Sequence, residues 1–342
     1  MKNRRTTLKD IAEKTGYSIP TVSRVLSNGD KYYSDATAKI ILEAAAKMNY
    51  MPNMIARGLK SGKTYSVVLL VPQMDDFYDS IFSGIQGYLG EKGYSVATLS
   101  SDYSEEMEET NISHIRNRNY DGVIVATGFL NQQYNRNPRT VFGDTPLVML
   151  ERTDRDDGIP TVSLKVREAC CEVVDYLVSQ GHRRIAFLSA PPRFDTIEER
   201  YLGYQDGLRK NRIPLDKKLV VFDKVLERTD YAAFYNFMKQ ILSKREYSAI
   251  ISLSDFAAFA SLKVAQQMNI RIPEDLSIVG FDDLVYTEFT VPSLSTVSQN
   301  AFQVGRLGGE LLLKKLQDEP AKSVEVDCRL LIRESVGPCN EA

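Results

Sequence analysis

Ser18, Thr21, Ser23 and Arg24 set three hydroxyls and a guanidinium along one short stretch of chain, with Ile19 and Pro20 at its front. Hydroxyls that bond phosphates, and side chains at a helix front that reach base edges, are what a DNA major groove accepts. The elements that must hold them there surround them. Thr7 to Leu26 reads as two short helices with a glycine turn between. In the first, Leu8, Ile11 and Ala12 fall at i, i+3 and i+4, while Lys9, Asp10, Glu13 and Lys14 take the other face. Gly16 supplies the positive φ that stops this helix. Ser18 caps the next one, Pro20 falls in its first turn where a missing N–H is harmless, and Val22, Val25 and Leu26 form its buried stripe. An ordinary helical hairpin with a solvated polar face is the alternative reading.

Charge favours the first reading. Residues 1–63 carry 12 Lys+Arg against 5 Asp+Glu, and the remainder 31 against 40. A small basic unit ahead of a large acidic one points to a polyanion partner for the first alone. Ser34 to Thr37 offers caps for a third helix running to about Asn49, with Ile40, Ile41, Ala44, Ala45 and Met48 inward. The following Pro52–Lys63 stretch has room for one or two helical turns, too short to be stable alone. Leu59 beside Arg57 and Lys60 has the make-up of a side chain that wedges between base steps in a minor groove. A plain tether with a packed leucine is the alternative.

A chain of 342 residues is too long for one core. Its opening residues lack the apolar run of a signal peptide, and no stretch approaches the ~20 apolar residues of a membrane span, so a cytoplasmic location is expected. Cys170, Cys171, Cys328 and Cys339 are not spaced as a zinc or disulfide framework and read as reduced structural thiols. From Tyr65 onward apolar runs alternate with helical patterns. Strands are expected at 67–71, 94–99, 122–126, 147–150 and 161–164, then at 185–188, 219–222, 249–252 and 276–281; helices are expected near 79–92, 166–180, 198–211, 230–244 and 255–269. Two doubly wound sheets imply a cleft lined by loops at the carboxyl ends of their strands.

Those loops hold no catalytic set. His114 sits on a helix and His182 in a turn ahead of a strand, neither with a Ser or Cys partner, and there is no P-loop, dinucleotide fingerprint or metal cluster. No cofactor is called for and an enzyme is not expected. The strand ends instead offer Gln73, Asp75, Asp76, Phe77 and Tyr78, then Arg152, Arg200, Ser254 and Asp255, and finally Asp282 and Asp283 after Phe281. Carboxylates accept from vicinal hydroxyls, arginine donates a fork, and rings stack on the C–H face of a sugar. Each has a duller alternative: Asp255 as a helix cap, Asp282 and Asp283 as turn residues, Phe77 and Tyr78 as core.

Residues 6–63 resemble the DNA-binding and hinge region of the LacI (lactose-repressor) family of bacterial transcription regulators, through Thr7-Leu8-x-Asp10-Ile11-Ala12, Ser18-x-x-Thr21-Val22-Ser23-Arg24-Val25-Leu26 and Asn49-Tyr50-x-Pro52-Asn53-x-x-Ala56-Arg57-Gly58-Leu59. Glu199-Arg200-x-x-Gly203-Tyr204, Gly181-His182-Arg183-Arg184, Ser254-Asp255 and Ile272 to Asp283 extend the resemblance along the chain. It implies an α/β architecture: a three-helix helix-turn-helix domain over 1–52, a hinge helix and linker over 53–63, and a periplasmic-binding-protein-like effector and dimerisation domain over 64–342. The latter would comprise an N-subdomain of about 64–162 and 292–323 and a C-subdomain of about 163–291 and 324–342, with crossings near 162, 291 and 323. By resemblance Ile19 and Pro20 set operator sequence, Arg24 reads a base, Thr7, Thr21, Ser23, Tyr50 and Asn53 contact or position on phosphates, and Leu59 intercalates beside Ala56 and Arg57; Ser18, the cap of this helix, is placed with the DNA-binding residues. By resemblance Arg200 and Asp282 hold the effector; together with the strand-end residues, the expected effector site comprises Asp75, Phe77, Tyr78, Arg152, Lys165, Arg200, Ser254, Asp255, Phe281 and Asp282.

Three departures from the family pattern bear on the ligand. The first loop is one residue short, and no clear aromatic platform follows the 219–222 strand, where Val225 and Leu226 stand. Lys165-Val166 replaces an aspartate-asparagine, placing a cation at the expected cleft and admitting an acidic or phosphorylated effector. The resemblance implies double-stranded operator DNA, a sugar-like effector and a second copy of the chain as partners, with no membrane. A purine-like corepressor or phosphoprotein partner, and a transport solute-binding protein, are the alternatives. Without leucine heptads after Leu316, a dimer is expected rather than a coiled-coil tetramer.

Overall fold

The computed structural model describes residues 6–28, 33–50, 62–126, 138–153, 157–227, 230–244 and 246–339. The chain divides into two compact units, Met1–Thr64 and Tyr65–Ala342. In the first, α1 (Leu8–Thr15), α2 (Ile19–Asn28) and α3 (Asp35–Lys47) pack around Ile11, Ala12, Val22, Val25, Ala38, Ile41 and Ala45. Thr7 opens α1 with a capping box: its hydroxyl accepts from the Asp10 amide at 3.3 Å while the Asp10 carboxylate accepts from the Thr7 amide at 2.7 Å. Gly16 ends the helix at φ 74°, its amide on the Ala12 carbonyl. Ile40, expected inward, is instead 48% exposed. Ala38, Ile41 and Ala45 fix the inward stripe of α3 at i, i+3 and i+7, and Ile40 falls about 100° round the helix from Ile41.

The second unit holds two sheets of six strands with the same winding. One contains β1 (Ser66–Val71), β2 (Ser95–Ser100), β3 (Gly122–Ala126), β4 (Leu147–Leu150), β5 (Thr161–Leu164) and β11 (Val324–Val326), in the order β11-β5-β4-β3-β1-β2. The other contains β6 (Ile185–Ser189), β7 (Val220–Phe222), β8 (Ala249–Ser252), β9 (Ser277–Phe281), β10 (Ser295–Ser298) and β12 (Arg329–Leu331), in the order β12-β10-β9-β8-β6-β7. Pairing is parallel except between β10 and β12. Helices cover both faces, so Val67–Val71 is buried along its whole length. These are α4 (Asp76–Glu91), α5 (Glu105–Asn117), α6 (Pro138–Phe142), α7 (Val166–Ser179), α8 (Asp195–Lys210), α9 (Tyr231–Ser243), α10 (Asp255–Gln267) and α11 (Ala301–Leu316). α4 starts earlier than its apolar period suggests because Asp75 caps it through the Tyr78 amide, at 2.9 Å. α4 and α11 meet at glycines: a Cβ on Gly305 would sit 1.9 Å from the Ile81 carbonyl oxygen.

The chain crosses between the two sheets later than expected. β5 is followed by a crossing at Lys165, β10 by one at Gln299 and Asn300, and β11 by one at Asp327 and Cys328. Expected boundaries at 291 and 323 would have put β10 in the first subdomain and β11 in the second. β10 pairs with β9, and β11 with β5. Each crossing thus waits until a strand has completed its sheet. No helix among the described residues is long and apolar enough to cross a membrane.

Candidate functional site

In the first unit α2 presents Ile19, 45% exposed, together with exposed Pro20 and Arg24 and half-buried Thr21 and Ser23. The Ser18 hydroxyl accepts from the Thr21 amide at 3.4 Å and shares a hydrogen bond with the Thr21 hydroxyl at 2.8 Å, so the start of the helix is tied on its own side chains. Tyr50 packs against the small core. The Thr7 hydroxyl donates to the Asp10 carboxylate at 2.7 Å. Asn53, Ala56, Arg57 and Leu59, and with them the hinge helix expected within 53–63, lie outside the described residues.

In the second unit a cavity of about 270 Å³ opens where the strand order reverses, between β1 and β3 in one sheet and β6 and β8 in the other. Asp75, Phe77 and Tyr78 reach it from the loop and helix after β1, Glu151 from the end of β4, and Phe194 and Arg200 from α8 and the loop before it. Ser254 follows β8 and Asp282 follows β9. Arg200 is 7% exposed and lies over the Phe281 ring, 4.4 Å from its centroid. Its Nη1 donates to the Leu253 carbonyl at 2.7 Å and its Nη2 to Gln299 Oε1 at 2.9 Å. The Gln299 amide in turn donates to Asp282 at 2.7 Å, so a residue in the second crossing bridges arginine and aspartate. Asp282 holds φ at 115°, a conformation few side chains adopt.

The carboxylates shape the electrostatics. Burial pushes Glu151 up to about 7, against the pull of its hydrogen bond from Tyr78 and of Arg200, with Asp75 adding repulsion. Burial, then the charges of Asp255, Asp75 and Glu151, lifts Asp282 well above the usual carboxylate range, while Arg200 opposes the rise. Burial raises Asp75 too, although the Tyr78 amide and Gln73, at 2.9 and 2.6 Å, stabilise its charge. Tyr103 and Phe194 meet across the cavity with ring centroids 5.7 Å apart, and the Thr153 amide donates to Asp195 at 3.0 Å, linking the two subdomains.

Four expected site residues are placed elsewhere. Arg152, 1% exposed, is held by Asp157 at 2.9 and 3.2 Å and by Thr161 at 3.2 Å, serving its own loop. Lys165 sits at the first crossing in an ion pair with Asp327 at 2.8 Å, with Glu325 at 3.9 Å, and brings no cation to the cavity. Asp255 is fully buried; its carboxylate takes the Leu284 amide at 2.8 Å and the Thr296 hydroxyl at 2.6 Å and anchors the loop after β9. Phe281 lies beneath Arg200 as a platform. His182, read as a surface turn, is buried between Ser248 at 2.9 Å and the Gly337 carbonyl at 3.1 Å, because the chain's last stretch folds over it.

Glu151, Tyr103, Phe194, Gln299 and Glu227 were not foreseen. The strand-end rule did point at β4, but of the two residues that follow it Glu151, at φ 55°, lines the cavity, while Arg152 is held by Asp157 and Thr161. Gln299 closes β10 and was masked by the early placement of the crossing.

A three-helix reading head followed by two doubly wound subdomains with three crossings and a polar cleft defines a DNA-binding regulator with a periplasmic-binding-protein-like receptor. Residues 7–53 match the model of bacterial regulatory proteins of the lacI family, and residues 174–336 that of a periplasmic binding protein-like domain. The HTH-type transcriptional repressor CytR of Escherichia coli (strain K12) is 31% identical over 335 residues, covering 96% of each chain. A transcriptional regulator CelR-cellobiose complex superposes with a TM-score of 0.69 at 26% identity, covering 97% of this chain and all of that one. A lac repressor dimer bound to operator and the anti-inducer ONPF gives 0.83 at 22% identity over 98% of this chain and 100% of that one. The chain belongs to the LacI family of bacterial regulatory proteins.

Proposed function

We propose that the chain is a cytoplasmic repressor that binds a palindromic operator as a homodimer and is controlled by a small, hydroxyl-rich molecule in the cleft. The observation that carries this reading is that one chain holds both an exposed helix front ending in Arg24 and a cavity lined by carboxylates, Arg200 and aromatic rings. A head over 1–52, a hinge over 53–63 and a receptor over 64–342 divide the labour. Ile19 and Pro20 meet base edges by apolar contact, Arg24 reads a base, and Thr7, Ser18, Thr21, Ser23, Tyr50 and Asn53 position the head on phosphates. Ala56, Arg57 and Leu59 serve the central minor groove. In the cleft, Asp75, Glu151 and Asp282 accept from the ligand, Arg200 and Ser254 donate, and Phe77 and Tyr78 pack on its carbon face.

Pairing is supported by an exposed apolar stretch after β9, where Val285, Tyr286, Phe289 and Val291 are 67, 50, 77 and 95% exposed. A monomer gains nothing from that surface, and the operator-bound lac repressor it resembles is a dimer. Control needs only a ligand with different affinities for two arrangements of the subdomains; Gln299, bonded to both Arg200 and Asp282 within a crossing, carries occupancy of the cleft to the joint. With Lys165 committed to Asp327, the case for a phosphorylated or acidic effector loses its footing.

The experiment is selection of duplexes from a random pool by the purified full chain, followed by binding of the selected site with and without a cleft ligand found by thermal shift. Enrichment of a two-fold symmetric site, with affinity altered by the ligand, is the expected outcome. A pool that never converges on a symmetric site would sink the reading and revive a solute-binding role.

A further inference from the structure

In each sheet of the second unit the strands at the crossings stand at one edge, β11 and β5 in the first and β10 beside the outermost β12 in the second. The opposite edges are β2, next to β1, and β7, next to β6, and no crossing joins them. Tyr103 follows β2 and Phe194 follows β6. Their rings, 5.7 Å apart between centroids and tilted by 50°, therefore meet on the side away from the crossings.

The backbone is strained to put a ring there. Ser101 to Ser104 is a tight turn, closed by the Ser104 amide on the Ser101 carbonyl at 2.8 Å, and both central residues hold positive φ, 47° at Asp102 and 51° at Tyr103. Turns of that kind favour glycine, asparagine and aspartate. Asp102 fits the rule and Tyr103 breaks it. A bulky residue keeps such a conformation where its surroundings compensate the strain. On its own side the Tyr103 amide is fixed to the Pro72 carbonyl at 3.0 Å, just ahead of cleft-lining Gln73. The half-buried ring packs on a core cluster of the second subdomain that includes Phe194, Leu226 and Phe234. Among the described residues packed against that cluster, Tyr103 is the one supplied by the first subdomain. The compensation thus comes from across the cleft. Separating the subdomains would return the ring's apolar surface to water, and it sits where rotation about the crossings displaces them most.

We propose that Tyr103 is a positioning residue that holds the cleft closed, a clasp on the side opposite the crossings whose ring is anchored in the other subdomain. The proposal rests on the reading of the cleft as an effector site and supplies the balance between two subdomain arrangements that such control needs. Tyr103 and Phe194 both line the cavity, so a ligand there meets both halves of the clasp.

The test is hydrogen exchange read by mass spectrometry on the full-length protein at neutral pH, with no ligand added. The Thr153 amide donates to Asp195 across the cleft, so its exchange follows opening, while the amides of buried β1 follow global unfolding. Tyr103→Gly removes the ring yet suits the positive φ, so the turn survives. It should raise exchange at Thr153 by about tenfold, the scale of one aromatic contact, with β1 unchanged. Tyr103→Phe keeps the ring and should exchange like the parent. Unchanged exchange at Thr153 in Tyr103→Gly overturns the proposal. So does a rise shared equally by β1, which would make Tyr103 an ordinary core contact, or a Tyr103→Phe variant that behaves like glycine. Duplex selection by the parent chain keeps the broader reading separate, because it involves neither variant. A parent that selects a symmetric site, with Thr153 unmoved in Tyr103→Gly, removes the clasp and leaves the regulator standing.

Discussion

The reading head and the cleft solve recognition in opposite ways. On α2 Ile19, Pro20 and Arg24 are exposed beside a core of seven small and medium side chains. In the cleft the polar groups are bonded to one another: Arg200 to Gln299, Gln299 to Asp282, Asp75 to Gln73. A surface reader is free to change specificity without touching stability. A buried receptor cannot, because removing one member of its network strands the others.

The largest expected effect therefore lies in the cleft. Arg200→Ala takes away a guanidinium whose charge favours the ionised forms of Glu151 and Asp282 and leaves the Leu253 carbonyl and Gln299 without this donor. Stranding buried charge in this way costs about 3–5 kcal/mol. Denaturant unfolding of the full chain should show the loss in the transition of the second unit, alongside loss of ligand binding. Ile19→Ala on the head should shift stability by less than about 0.5 kcal/mol. Equal losses from the two substitutions would erase the distinction.

Next comes pH. The ordinary Glu151 value of 4.5 is raised to about 7 in the folded chain. A folded state that holds a proton more tightly than the unfolded chain is favoured by that proton below the lower value, and the contribution is lost as pH rises through the higher one. The displacement corresponds to about 3 kcal/mol at most for a fully buried group. The second unit should thus weaken between about pH 5 and pH 8. Glu151→Gln, which cannot ionise, should flatten that slope and exceed the parent in stability at pH 8. Superimposable pH profiles of parent and variant would remove Glu151 from the account.

Arg24→Ala should behave in the reverse sense. Loss of a base contact costs about 1–3 kcal/mol of operator affinity, with preference relaxed at one base pair. Its melting curve should match the parent's. A lowered midpoint for the first unit would show that Arg24 supports the head after all.

How far each region could be foreseen follows from the same contrast. The head is written locally: Thr7, Gly16, Ser18 and the i, i+3, i+4 apolar stripe are near neighbours in sequence, and each acts within a turn or two of where it stands. Among its described residues the phase of α3 slipped, since eight apolar side chains in one helix admit more than one inward stripe and only packing chose Ile41 over Ile40. The cleft is assembled from loops far apart in the chain. Strand ends pointed to its lining: Asp75 and Asp282 lie there as that rule expects, and Arg200 reaches it from α8. Whether a polar side chain at a strand end is left to the cavity or spent elsewhere depends on its partners: Arg152 is taken by Asp157, and Asp255 by Thr296, 41 residues away. No spacing rule carries that information.

The smallest effect sharpens the contrast at its edge, because Thr7 belongs to both kinds of residue. It is proposed to meet a phosphate, yet its hydroxyl and amide are engaged with Asp10. Thr7→Ala should destabilise the first unit by about 1 kcal/mol, the usual worth of an N-cap, and Thr7→Ser should restore it. Asp10→Asn separates the two roles, since it weakens the reciprocal half of the box and leaves the threonine hydroxyl in place. If Thr7 only caps α1, operator affinity will fall in both variants in proportion to their loss of folded head. If the hydroxyl also meets a phosphate, Thr7→Ala will lose more than Asp10→Asn at equal stability, and the excess will be the same on every duplex because a phosphate contact carries no base information. An excess that differs between operator and unrelated duplex would instead make Thr7 a reader of sequence, and would move the boundary of the reading surface from α2 back to the start of α1.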